Sequence, residues 1–141
     1  MTARHKDIAD AVVGHLNGLT LSQAFTAARA AIPVWMLEAV RTLTVDVLIG
    51  RYEQTLQNRG GLFDRRYTVD IVVQDALDVA DTTDLDAAIL LCEEIQDSLT
   101  GQTMSNARLM TVDREQTYDT ELAEAAGQFV AVISATFRQL T

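Results

Sequence analysis

The sequence predicts an α+β domain of two layers, with a mainly antiparallel sheet of four to five strands, an N-terminal helix, and a long helix packed on one face. Three observations carry this expectation. Two stretches, "LTVDVLI" (43–49) and "RYTVDIVVQ" (66–74), alternate apolar and polar residues with the period of two that a half-buried strand requires. A third stretch, "TTDLDAAILLCEEIQDSLTG" (82–101), repeats its apolar residues at helical spacing. With 48% hydrophobic residues in 141 and only 22% charged, the chain has the composition of one ordinary folded domain. A chain of this length buries about 70% of its unfolded surface.

In chain order, "KDIADAVVGHLNGL" places Ile8, Val12, Leu16 and Leu19 on one face of a three-turn amphipathic helix, with Asp7 and Asp10 near its start and Asn17-Gly18 as its stop. The Ala-rich segment that follows is ambiguous between helix and strand. Residues 24–30 read as a short strand, and residues 33–40, which open on the only proline, as irregular. In the first alternating strand Leu43, Val45, Val47 and Ile49 share a face. In the second, Tyr67, Val69, Ile71 and Val73 do the same. β-branched residues on one face and Thr44, Asp46, Thr68 and Asp70 on the other argue for antiparallel pairing with a solvated side.

The long helix carries Leu85, Ile89, Cys92, Ile95 and Leu99 as one stripe; Thr83 with Asp86 resembles a capping box, and Gly101 stands where a C-terminal cap belongs. About sixteen residues would span about 24 Å, enough to roof strands of seven or eight residues. "ARLMTVD" (107–113) reads as a further short strand. The last segment suits either structure: Leu122, Ala126, Phe129, Ile133 and Phe137 fit a helix, whereas Phe129, Ala131, Ile133, Ala135 and Phe137 fit a strand. Gly127 and the density of β-branched residues favour the strand.

Little in the sequence points to catalysis. The two histidines, His5 and His15, and the one cysteine, Cys92, make no zinc pattern, and no Walker, Rossmann, HExxH or nucleophile-elbow spacing occurs. The cluster Asp78, Asp81, Asp84 and Asp86 lacks the glycine and the glutamate of an EF-hand loop, and helix capping accounts for it. Asp46 and Asp70, mid-strand on the less apolar faces, would pair as an acid and base only if their strands are neighbours; otherwise they mark the wet face of the sheet. No catalytic residue, metal or cofactor is expected. The longest apolar runs fall far short of a membrane span, and the polar start shows no signal sequence, so synthesis in the cytoplasm is expected.

Charge is unevenly distributed. Residues 1–66 hold eight Arg/Lys against six Asp/Glu, and residues 67–141 hold three against fourteen, within a net charge of −9. This disfavours general nucleic-acid binding. It fits either a solvated acidic surface or copies meeting head to tail, basic against acidic.

One feature stands apart: the long polar connection between the two clear strands, residues 51–64. Arg51, Arg59, Arg65 and Arg66 surround Asn58 and Gly60-Gly61, with Leu62 and Phe63 as an apolar pair. Most hairpin connections need only two to five residues. The segment is either an excursion without consequence or one that orders against a partner, arginines on carboxylates and the Leu-Phe pair in a groove.

The order of "DIADAVVGHLNGL", "LTVDVLIG", an arginine-bearing loop, "RRYTVDIVVQ", "DLDAAILLCEEIQDSLTG" and "FVAVISATFRQLT" resembles the tail terminator or tail-completion proteins of long-tailed bacteriophages, the minor tail protein U type. The resemblance covers nearly the whole chain and rests on order, length and texture. It implies a single domain over residues 1–141 acting as a structural virion protein at the tail and neck. Such a protein forms a ring, expected as a hexamer, that ends tail-tube polymerisation and joins tail to head. The implied partners are further copies of itself, the tail tube protein and the head-tail connector or stopper, with no membrane and no sequence-specific nucleic acid, although the genome would pass through the ring. Family members use the loop between the central strands in assembly, which matches residues 51–64 here and makes Arg51, Asn58, Arg59, Gly60, Gly61, Leu62, Phe63, Arg65 and Arg66 the expected contacts. Two other readings stay open: a head-completion adaptor of the neck, a class that tends to be more helical, and a small ligand-binding domain using Asp46 and Asp70.

Overall fold

A computed structural model describes residues 3–31, 43–57, 60–77, 82–119 and 127–141. The elements run α1 (Arg4–Asn17), β1 (Ala27–Arg29), β2 (Thr44–Leu56), β3 (Phe63–Leu77), α2 (Thr82–Leu99), β4 (Thr103–Met104), β5 (Ala107–Asp119) and β6 (Gly127–Leu140). The described strands form one sheet of six in the order β1-β2-β3-β6-β5-β4.

This corrects the expected two-layer sandwich of four to five strands. The protein is mostly sheet, six strands of mixed direction curled into a half-barrel, and the described helices number two. β1 lies parallel to β2, Ala27 level with Val45, and every other pairing is antiparallel. The curl follows from length. Strands of 13 to 15 residues accumulate far more right-handed twist than the seven-residue strands the alternation alone predicts.

β2 and β3 keep pairing beyond the alternating stretches, from Thr44–Gln74 to Leu56–Phe63, so strand occupies much of the 51–64 segment expected as a loop. The true connection is residues 57–62, closed where the Gln57 N–H donates to the Leu62 carbonyl at 2.8 Å. A bulge between Ile49 and Tyr52 shifts the register, so the apolar-facing residues of β2 change from odd to even numbers. A periodicity count that assumes one parity loses the strand there.

The final segment is the strand β6, paired with β3 over its full length in unbroken register. Residues 33–40, expected as irregular, lie outside the described residues.

One face of the sheet carries the core. Val45 and Val47 of β2, Tyr67, Val69, Ile71 and Val73 of β3, and Phe129, Ala131, Ile133, Ala135 and Phe137 of β6 are all buried there. Both helices pack onto it: α1 adds Ile8, Val12 and Leu16, and α2 adds Leu91, Cys92, Ile95 and Leu99 to the same cluster. Asn17 pins β1 in place by imitating a strand, because the Ala27 N–H donates to its Oδ1 at 2.7 Å while its Nδ2 donates to the Ala27 carbonyl at 3.1 Å. β4 and β5 join through Ser105 and Asn106, whose positive φ values of 48° and 68° make the two-residue turn that matches the twist of a hairpin.

Candidate assembly surface

The far ends of β2, β3 and β6 form an arm that carries most of the residues expected to make contacts. Its root is held by an aromatic stack. Tyr67 meets Tyr52 at 5.1 Å between ring centres and the edge of His5 at 5.3 Å. The His5 ring donates from Nε2 to the Thr68 carbonyl at 2.8 Å, which ties the first turn of α1 to the arm.

Beyond the root, Arg65 spreads over the surface. Its Nε donates to the Thr141 hydroxyl at 3.0 Å and its Nη1 to Gln54 at 3.2 Å, while the guanidinium lies 5.2 Å from the centre of the Phe63 ring. No carboxylate is paired with it among the described residues. Phe63 and Thr141 exchange both main-chain hydrogen bonds, at 2.8 and 3.1 Å, so the C-terminus becomes the third strand of the arm. Leu56, Leu62 and Tyr52 stay exposed although they are large and apolar. Gly61, with φ of 85°, takes the left-handed conformation at the tip. Gly60 is exposed beside it, and Asn58 and Arg59 lie outside the described residues.

Arg66 lies on the opposite face, away from the helices, and heads an unforeseen arrangement. The register sets Glu53, Arg66, Arg138 and Arg108 side by side on β2, β3, β6 and β5. Like charges directly opposite each other on neighbouring strands repel. The relief comes from Asp64, one of two buried polar side chains among the described residues, which takes Arg138 Nε at 3.0 Å on one oxygen and Arg66 Nη2 at 3.2 Å on the other. The Arg138 hydrogen bond above all, then that of Arg66, holds its carboxyl below the usual carboxylate range. Glu53 is engaged by Arg51 at 2.6 Å instead.

Beside this row a cavity of about 560 Å³ opens between Arg108, Leu109, Met110, Arg138 and Leu140. No sequence signal finds the row, because its arginines lie 30 to 72 residues apart and only pairing register brings them together.

Asp70 accepts the Ser134 hydroxyl at 2.8 Å across β3 and β6. Asp46 is opposite Val72 and Asp70 opposite Leu48, which makes the two carboxylate-bearing residues diagonal neighbours on adjacent strands. His15 meets Ser98 at 3.3 Å where α1 touches α2. Among the described residues no three His, Cys, Asp or Glu side chains gather as metal ligands, and no helix is long and apolar enough to cross a membrane.

Both sides of the sheet end in strands much shorter than their neighbours. β1 covers β2 only from Val45 to Val47, and β4 covers β5 only at Ala107 and Arg108. The distal half of β2 and nearly all of β5 therefore have an outer edge that no other strand pairs among the described residues.

Together these features define a sheet subunit with an exposed arm and two edges that no strand covers among the described residues. No family model and no curated protein matches the sequence. Among solved structures the fold is similar to that of a chain in the "Virion of native gene transfer agent (GTA) particle", with a TM-score of 0.55 and 16% identity, over 99% of this chain and 100% of that one. At that identity the likeness concerns the fold.

Proposed function

We propose that this chain is a structural protein of a phage-like virion that works by binding and not by catalysis. The observation that carries the reading is the end-to-end similarity of fold to a chain of a gene transfer agent virion, with neither chain left over. The exposed arm and the two open sheet edges support it, since a subunit embedded among copies and partners has surfaces to cover.

Within that class, the protein is a tail terminator: a ring, read as a hexamer, that caps the tail tube and receives the head connector. The arm residues Arg51, Gly60, Gly61, Leu62, Phe63, Arg65 and Arg66 would make the assembly contacts. The sheet-dominated fold favours this over a head-completion adaptor, a class expected to be more helical.

Electron microscopy of particles from an element with the gene interrupted tests the reading. Overlong or ragged tails beside filled, unjoined heads are the expected result. Tails of normal length with leaking or unjoined heads would transfer the role to the neck adaptor, and intact infectious particles would overturn both.

A further inference from the structure

The open edges of β2 and β5 have the polarity, position and charge to pair with each other in different copies. Hydrogen-bond direction alternates along an antiparallel strand, so one known bond sets the rest. The Gln57 N–H points to β3, which leaves the main-chain groups of Leu56, Gln54 and Tyr52 pointing outward. Phe63 agrees, because both its main-chain bonds go to Thr141 on the other side.

On β6, the Thr141 bonds turn the odd residues toward β3 and the even residues toward β5. Thr136 and Ser134 therefore bond Thr111 and Asp113, and Val112, Arg114 and Gln116 point outward. Each edge thus presents a row of outward donors and acceptors with no strand against it among the described residues.

Neither row contains proline or lysine, two common devices that blunt an edge. The bulges at Ile49/Tyr52 and Leu109/Thr111 precede the open lengths and do not interrupt them. β2 and β5 are three antiparallel steps apart and so run in opposite directions. A copy rotated about an axis along the strands brings its β5 antiparallel to β2.

The open lengths are also staggered. That of β2 lies level with Phe63–Tyr67, and that of β5 with Val69–Asp75. A sheet that closes on itself needs such an offset, because its strands tilt and their register shears. Charge agrees as well. Arg66, backed by Arg138 and Arg108, lies beside the β2 edge, while Asp113 and Glu115, which have no ion-pair partner among the described residues, belong to β5 on the same face of the sheet.

We propose that the occupant of each edge is a second copy of this chain: β5 of one subunit adds antiparallel to the Tyr52–Leu56 edge of the next, making one continuous sheet around the ring. This rests on the ring-forming reading above and specifies its contact.

The test uses the full chain, with assembly followed by native mass spectrometry and light scattering across protein concentration. Gln54→Pro and Gln116→Pro each remove one outward N–H while leaving the inward ladder whole, and Gln54→Ala and Gln116→Ala remove the side chains but keep the N–H. The proline variants should fold yet weaken self-association roughly tenfold or more, and the alanine variants should assemble like the wild type. Amide hydrogen exchange on the wild type supplies a second reading should a proline variant not fold: Tyr52, Gln54, Val112 and Gln116 should exchange freely in the monomer and become protected in the assembly.

Rings that survive both prolines, or form without protecting these amides, would overturn strand pairing and leave the ring itself standing. A wild type that stays monomeric throughout would remove ring and pairing together. Protection that appears only with a different protein bound would assign the edges to that partner and overturn pairing between copies.

Discussion

Asp64 and Arg138 meet across β3 and β6 through one hydrogen bond of 3.0 Å, Nε to Oδ1, within a row where the strand register sets Arg66, Arg138 and Arg108 side by side. Asp64 is only 2% exposed, and without its charge Arg66 and Arg138 would face each other unrelieved.

Asp64→Asn is therefore expected to destabilise the fold at neutral pH. The folded-state pKa of Asp64 lies below its ordinary value of 3.8, so its stabilising contribution is fully present above that value and is lost as pH falls through the folded pKa. Thermal melts of the two proteins should show a constant difference at neutral pH that closes below about pH 3.8. A difference that persists unchanged in acid would mean that Asp64 acts through packing.

Gln74 is the opposite case. It is fully buried on β3, and neither its Nε2 nor its Oε1 has a hydrogen-bond partner among the described residues. A buried amide left unsatisfied costs about 1–3 kcal/mol. Gln74→Met keeps the length and removes the polar atoms, so urea unfolding should show a gain of that order.

Gly50 sits at the β2 bulge, where an added Cβ would come within 3.0 Å of both the Thr68 carbonyl oxygen and Asp70 Oδ2. The first is main chain of a paired strand and has little room to yield. Gly50→Ala should cost about 1–3 kcal/mol in the same unfolding experiment, whereas Leu90→Ala, at an exposed site on α2, should stay within about 0.5 kcal/mol of wild type.

Cys92 lies fully buried against the core, and burial pushes its thiol up to about 11. Too little thiolate exists near pH 8 for attack, and no reagent reaches it. Labelling by a thiol reagent should track global unfolding in denaturant, with no reaction in the native protein. Rapid native labelling would show that α2 opens locally.

Those strands and helices that bury one face and wet the other were legible in the sequence by itself. The alternation of residues 43–49 and 66–74 placed the first half of β2 and the centre of β3, and the Leu85–Leu99 stripe placed α2, because each pattern records a boundary between core and water. The same reasoning fails on the arm. Residues 51–56 are mostly exposed on both faces and follow a change of parity at a bulge, so no burial pattern is written into them. The short strand read at residues 24–30 contains β1 but not its parallel pairing, and β4, with two residues, is too short for any period to show, so the sixth strand and the parallel edge went unread.

What only the tertiary structure decided is which distant residues share a row. Arg66, Arg108 and Arg138 are unremarkable in sequence and adjacent in space, since strand order and register, not chain distance, set who faces whom. The open edges of β2 and β5 arise the same way, because an edge is a property of which strands stop short beside it and not of any residue on it.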